Sequence, residues 1–174
     1  MRMAVRVVKS LMICLSFAVG LCTVHRLKND ADRIWGPRNK TPVVFHRDVG
    51  DTFLMYEFLL GGLTIDDKNT VHLNDEELSS MRSANVFHSI MNAHVPKTPS
   101  TIRKRLSNLP SSGESFEMDT FEQLLLASVY TAHRAWNSDL TERQAWGDRF
   151  CHLVAALTHD LSGKVVRCSS AQTK

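Results

Sequence analysis

Residues 119–137, DTFEQLLLASVYTAHRAWN, decide the fold class that the sequence predicts. Large and small apolar side chains recur in and just before this segment at near-heptad spacing: Met118, Phe121, Leu125, Val129, Ala132 and Trp136. Such spacing places them on one face of an α-helix. The segment therefore predicts a long amphipathic helix that buries one face in a core.

Four further helices are predicted from the same periodicity, over about residues 51–63, 74–95, 98–109 and 141–161. Their boundaries follow from capping signals. Asn74, Thr98 and Thr141 are expected N-caps, and Gly163 is an expected C-cap. Strands are weakly indicated, at residues 43–45 and 70–73. The sequence predicts an all-α fold, a compact bundle of about five amphipathic helices that follows a signal peptide and a flexible linker.

The apolar spacing also predicts which side chains face the core. In the first helix these are Val49, Phe53, Tyr56, Leu60 and Leu63. In the last helix they are Trp146, Phe150, Leu153, Leu157 and Leu161. Trp136 and Trp146 both fall on apolar stripes and are expected in the core, whereas Trp35 lies outside any helix and is the better candidate for a contact residue.

The amino-terminal segment has the layout of a secretory signal peptide. Arg2, Arg6 and Lys9 precede an uncharged, mostly apolar run over residues 10–24, which is shorter than the ~20 apolar residues of a membrane-spanning helix. The predicted division is a signal peptide at 1–22, a flexible linker at 23–48, a helical domain at 49–163 and a loose tail at 164–174. We expect a secreted, extracellular protein with no stable membrane span, cleaved after Gly20 or after Cys22.

Charge argues against a nucleic-acid partner. The chain has 21 Lys and Arg against 18 Asp and Glu, and three of the basic residues lie in the predicted signal peptide. Removal of that segment leaves the two signs in balance, while nucleic-acid binding needs clustered positive charge. The basic run Arg103-Lys104-Arg105 is interpreted as a solvated helix face, with a processing site or a heparin patch as alternatives.

Cysteine and sequon positions depend on the predicted export. Cys151 and Cys168 are a candidate disulfide in an oxidising compartment, although Cys151 could equally be a buried free thiol. Asn39-Lys40-Thr41 is a candidate N-glycosylation site, with Pro42 immediately after it.

The histidines and Cys151 suggest one alternative chemistry. Cys151, His152 and His159 could serve an extracellular hydrolase or a metal-binding protein, with His133 or Asp160 as further members of such a site. No histidine pair has the i, i+4 spacing of a helical zinc site, and no Cys-x-x-Cys occurs. The sequence therefore predicts no catalytic residue, no metal site and no cofactor.

Five segments, taken together, resemble the family with sequence similarity 180, a group of small vertebrate proteins with signal peptides. They are Leu54-Met55-Tyr56-Glu57-Phe58-Leu59-Leu60, Asp75-Glu76-Glu77-Leu78, Val95-Pro96-Lys97 with Ile102-Arg103, Tyr130-Thr131-Ala132-His133-Arg134 and His159-Asp160-Leu161. Their order and spacing match from about residue 49 to 161. The resemblance implies a secreted protein with no established enzymatic activity and no catalytic residues to assign. His133 departs from it, because a Tyr is usual there.

These observations favour a secreted, non-enzymatic helical protein that acts through an unknown extracellular protein partner. The alternative is the hydrolase or metal-binding protein that uses Cys151, His152 and His159.

Overall fold

The computed structural model describes Phe45 and residues 49–109 and 115–168. The predicted signal peptide, the candidate sequon at Asn39, Trp35 and nearly all of the predicted linker lie outside the described residues. The described chain contains α1 (Val49–Gly61), β1 (Leu63–Ile65), β2 (Val71–Leu73), α2 (Glu76–Ser80), α3 (Arg82–Ser89), a π-helical turn (Ile90–His94), α4 (Pro99–Ser107), α5 (Met118–Asn137) and α6 (Leu140–Ser162). The predicted all-α class is confirmed, with one small sheet as the exception.

The chain divides into two compact units, with the boundary between Asn92 and Ala93. We call them the N-terminal unit and the C-terminal unit. No helix among the described residues combines the length and the apolar character needed to cross a bilayer.

An aromatic cluster forms the centre of the N-terminal unit. The ring centroid of Phe58 lies 5.3 Å from that of Phe87 and 5.8 Å from that of Phe45. Phe45 and Phe87 complete the triangle at 6.3 Å, in an edge-to-face arrangement. All three side chains are buried. Such aromatic pairs contribute about 0.5–1.5 kcal/mol each beyond the area that they bury.

The buried face of α1 differs from the predicted one. The structure buries Met55 and Phe58, whereas Phe53 is 64% exposed and Leu60 is 59% exposed. Tyr56 and Leu63, also predicted inside, are partly exposed, and the side chain of Val49 is not described. The reason is that α1 carries apolar residues on opposite sides, so periodicity alone cannot choose which side packs inward.

A short hairpin follows α1. β1 and β2 pair antiparallel, with Leu63 opposite Leu73 and Ile65 opposite Val71. The side chain of Asp66 accepts hydrogen bonds from the backbone N–H groups of Lys68 and Thr70 and so fixes the turn. Only the second strand was indicated by the sequence. β1 was missed because the apolar spacing assigned its first residue, Leu63, to the end of the first helix.

The second predicted helix is interrupted. Met81 adopts an extended conformation between α2 and α3, and the last turn before Val95 is π-helical. Its predicted N-cap is also wrong by one residue, because Asp75, not Asn74, accepts the backbone N–H of Leu78. The described chain therefore contains six α-helices rather than about five.

The C-terminal unit is built on α5 and α6, which pack against each other, and α4, which also contacts α6. α5 is buried continuously from Leu124 to Thr131 rather than on a single face. In α6 the buried positions are Trp146, Leu153 and Leu157, as predicted, while Phe150 and Leu161 are partly exposed.

Two of the three predicted caps in this unit are confirmed. Thr98 caps α4 in a reciprocal box with Thr101, and Pro99 follows at the first helical position. Gly163 ends α6 in the left-handed conformation, with φ 66°. The predicted cap Thr141 is wrong, because the Asp139 side chain caps α6 by accepting the N–H groups of Thr141 and Glu142.

Candidate functional site

The structure joins Cys151 to Cys168 in a disulfide. Cys151 lies near the middle of α6, and Cys168 lies in the irregular segment that follows the helix; their Cα atoms are 5.8 Å apart. That separation is ordinary for a disulfide. Residues 164–168, predicted as part of a loose tail, are thus tied back to α6. The bond also removes the Cys151 thiol as a nucleophile or a soft metal ligand.

The histidines named for the hydrolase or metal-binding alternative have separate surroundings. His152 is exposed, and its Nδ1 lies 2.7 Å from the backbone oxygen of Asp148 one turn earlier in α6. His159 is also exposed, and His133 lies next to Asn137 on α5. Within the described residues no group of three His, Cys, Asp or Glu side chains is placed to hold a metal ion.

Asp160, the remaining residue of that alternative, has a structural contact. Its Oδ1 accepts the backbone N–H of Phe116 at 2.7 Å, a charge-assisted bond across 44 residues of sequence. It fixes the segment that leads into α5 against the end of α6.

A cluster of cations and aromatic rings connects three segments of the C-terminal unit. Tyr130 on α5 and Trp146 on α6 are buried, with ring centroids 5.9 Å apart in an edge-to-face arrangement. Lys97 Nζ lies 4.4 Å from the Tyr130 centroid, and Arg134 Cζ lies 5.5 Å from the Trp146 centroid. Each cation is within the range of a cation–π contact.

Burial sets the protonation of this cluster. Burial raises the pKa of the Tyr130 hydroxyl, and the positive charge of Arg134 opposes that rise. The phenol therefore stays neutral at physiological pH and cannot act as a base. The Arg134 Nε atom is buried and has no hydrogen-bond partner in the part of the chain that the structure describes. The cluster is suited to holding three segments together rather than to proton transfer.

The joint between α5 and α6 exposes two large apolar side chains. Trp136 is 43% exposed and Leu140 is 81% exposed. Hydrogen bonds tie the joint together: Arg143 donates from Nε to the backbone oxygen of Ala135 and from Nη2 to that of Ser138. The prediction that Trp136 lies in the core is wrong, and the same prediction for Trp146 is confirmed.

The basic run Arg103-Lys104-Arg105 lies on the exposed side of α4, opposite the fully buried Ile102. Arg105 donates to Gln123 Oε1 on α5 at 2.9 Å. Beneath this helix is a crevice of about 10 Å³, lined by residues of α4, α5 and α6 including Ile102, Leu124 and Leu153. That is room for about one water molecule, far below the ~300–1,000 Å³ of a typical ligand pocket.

The N-terminal unit has its own ionisable group at the hairpin. Asp66 Oδ2 lies 3.3 Å from His72 Nε2. The bond from the Thr70 N–H lowers the pKa of Asp66, and His72 adds to that effect against the opposing influence of burial. Burial, followed by the charge of His72, lowers the pKa of His88, whose Nε2 is buried without a partner in the described chain. His88 is therefore neutral in the folded protein at pH 7.

Comparison with known proteins identifies a family and a similar human protein. The model of the FAM180 family matches residues 22–161. The human protein "Protein FAM180B" (Homo sapiens) is 31% identical over 113 residues, which are 62% of this chain and 61% of the human protein. The chain thus spans less than two thirds of the length of that relative. No solved structure matches the chain.

Proposed function

The chain belongs to the FAM180 family, and from that premise we propose that it is a secreted, non-enzymatic helical protein that acts by binding an extracellular protein partner. Membership agrees with the resemblance seen in the five sequence segments. The family description names no reaction or partner, so the proposal depends on the side chains of this chain.

The observation that carries the proposal is the exposure of large apolar side chains on regular helices. Phe53 and Leu60 are exposed on α1, and Trp136 and Leu140 are exposed at the joint of α5 and α6. Aromatic and large aliphatic side chains held on rigid elements are the usual anchors of protein interfaces, while a catalytic site needs converging polar groups. These surfaces favour binding over chemistry.

Export is supported by the disulfide and by the leader. A bond between Cys151 and Cys168 persists in an oxidising compartment and is rare in the cytosol. The basic and then apolar layout of residues 1–22 supports the same route. The family match begins at residue 22, which agrees with the boundary predicted for the leader.

Export is tested by expressing the full chain with a carboxy-terminal tag in cultured animal cells. We expect the protein in the medium, with an amino terminus after Gly20 or Cys22 by mass spectrometry. Leu15→Arg, which breaks the apolar run, should keep the chain inside the cell. Protein that retains Met1 to Val24 and never reaches the medium would overturn the proposal.

The non-enzymatic role is tested on the exported protein. We expect no stoichiometric zinc by elemental analysis and no reaction of Cys151 with a thiol reagent unless a reductant is added first. His159→Ala should leave the fold and any partner capture unchanged. Stoichiometric zinc, or a free reactive Cys151, would favour the hydrolase or metal-binding alternative instead.

Extracellular proximity labelling, with the Trp136→Ala/Leu140→Ala variant for comparison, identifies the partner.

A further inference from the structure

α1 presents an apolar face that the described residues of the N-terminal unit do not cover. Phe53, Glu57 and Leu60 occupy positions i, i+4 and i+7, and all three are exposed. Met55 and Phe58 point the other way, into the aromatic core, so these three side chains cannot turn inward without emptying that core. We call Phe53, Glu57 and Leu60 the outer face of α1. Its two apolar side chains are about 10 Å apart along the helix.

One carboxylate lies on this face, and others lie on the neighbouring helix α2. Glu57 lies between the two apolar residues, and the start of α2 lies beside the end of α1: a Cβ placed on Gly61 would be 3.5 Å from the Cβ of Asp75. Glu76 and Glu77 follow Asp75 and are exposed. Among the described residues, neither of them nor Glu57 takes part in an ion pair.

The backbone adds to this negative potential. The last turn of α1 contains no basic residue to offset the partial negative charge at the helix carboxy terminus. Between residues 49 and 92 the Lys and Arg residues are Lys68 and Arg82 only, against a larger number of carboxylates. Neither Lys68 nor Arg82 lies on α1.

The combination of apolar side chains and nearby carboxylates indicates which kind of surface can bind to this face. An anionic lipid surface would be repelled, because membrane-binding faces carry Lys and Arg around their apolar residues. A cationic and apolar surface matches the outer face in both respects. Two helical turns of side chains at i, i+4 and i+7 fit the packing of one helix on another.

We therefore propose that the outer face of α1 docks a basic amphipathic helix of the extracellular partner. The proposal depends on the proposed function, since it assigns one surface and one partner chemistry to that binding role. The outer face supplies apolar contact, and Glu57, Glu76 and Glu77 supply attraction and orientation.

The test measures binding of a fluorescent synthetic peptide to the full secreted chain by anisotropy. The peptide is an amphipathic helix with Leu at i, i+3, i+4 and i+7 and Lys elsewhere on its surface; a matched peptide carries Glu in place of each Lys. We expect the Lys peptide to bind at least about tenfold more tightly, with an affinity that falls as salt is raised.

Variants locate the site of binding. Phe53→Ala/Leu60→Ala should weaken binding of the Lys peptide about tenfold or more. Val165→Ala/Val166→Ala, an exposed apolar pair of the C-terminal unit, should leave it unchanged. Glu57→Gln/Glu76→Gln/Glu77→Gln should weaken binding severalfold and flatten its salt dependence, whereas Glu142→Gln on α6 should do neither. Circular dichroism melts check that each variant remains folded.

Three results would overturn the proposal. They are equal binding of the Lys and Glu peptides, full binding by Phe53→Ala/Leu60→Ala, and a dimer in sedimentation equilibrium that this variant abolishes, which would make a second copy the occupant. Failure of the proposed function is a separate outcome. A chain that is never exported removes the extracellular role whatever the peptide does, whereas an exported chain whose labelled partner is still captured by Phe53→Ala/Leu60→Ala removes only the docking site.

Discussion

The two units differ in how much of the surface of their most apolar helix they bury. In the N-terminal unit α1 has apolar residues on opposite sides, and only the side of Met55 and Phe58 is buried. In the C-terminal unit α5 is also apolar on most sides, and it is buried all along Leu124 to Thr131. The difference shows that an apolar helix is not by itself a core helix, because its neighbours decide how much of its surface leaves water.

The largest expected effect compares the two sides of α1. Phe58→Ala should lower the free energy of unfolding by about 3–5 kcal/mol, because it removes the ring that contacts both Phe45 and Phe87. Phe53→Ala on the outer face should change it by about 0.5 kcal/mol or less. Urea unfolding followed by circular dichroism measures both. Equal losses for the two variants would mean that the outer face is covered after all.

Removal of the disulfide should affect the C-terminal unit. The bond closes a segment with a sequence separation of 17, for which loop entropy gives about 2–4 kcal/mol. Cys151→Ala/Cys168→Ala should therefore destabilise the unit by that amount. In a Trp35→Phe background the remaining tryptophans, Trp136 and Trp146, both report on the C-terminal unit by fluorescence. An unchanged fluorescence transition would contradict the prediction.

Loss of the hydrogen bond that Asp160 accepts is expected to have the next largest effect in the C-terminal unit. Asp160→Ala leaves the Phe116 N–H without its carboxylate acceptor and should cost about 1.5–3 kcal/mol. His159→Ala, at the exposed position beside it, should cost about 0.5 kcal/mol or less. The same fluorescence transition measures both changes, and a similar cost for the two variants would show that the Asp160 contact contributes little.

A smaller effect distinguishes the actual cap of α6 from the predicted one. Asp139→Ala removes the acceptor for two backbone N–H groups and should cost about 1 kcal/mol. Thr141→Ala, at the cap position that the sequence suggested, should be close to neutral. Denaturant midpoints compare the two, and the reverse order would move the start of the helix to Thr141.

The smallest effect is a pH dependence in the N-terminal unit. Because burial lowers the pKa of His88 below its ordinary 6.5, the unfolded chain takes up that proton first as the pH falls. The contribution of His88 to stability is full above pH 6.5 and declines as the pH falls through 6.5 toward the lower pKa of the folded state. His88→Gln should remove this decline in stability, whereas His152→Gln, at an exposed position of α6, should not. Unfolding curves near pH 7.5 and 5.5 give the comparison.

The helix ends that depend on local signals were predicted well from the sequence. Thr98 with Pro99 begins α4, and Gly163 ends α6, because each acts through its own backbone neighbourhood. Where two side chains one or two positions apart could cap the same helix, the prediction chose the wrong one, as with Asn74 against Asp75 and Thr141 against Asp139. The break at Met81 left no signal in the apolar spacing, which runs through it.

The predicted site residues show the same limit. The sequence named Cys151 and Cys168 as a candidate disulfide but left a free thiol at Cys151 open, because only the position of the segment after α6 brings the two together. The contacts of Lys97 with Tyr130 and of Arg134 with Trp146 were not predicted, since no spacing rule links an irregular segment to rings on two helices. The sequence did mark these segments, because Val95-Pro96-Lys97 and the run Tyr130 to Arg134 are among those that carry the family resemblance.

The amino-acid sequence by itself determined the helical class, most helix boundaries and the membership of the FAM180 family, because periodicity, capping and similarity are all written in the order of residues. Only the tertiary structure decided that Phe58 rather than Phe53 enters the core, that Trp136 remains at the surface and that Asp160 is bonded to the backbone of Phe116. Those outcomes depend on which surfaces meet, because the free energy of burial is gained only when two apolar surfaces leave water together.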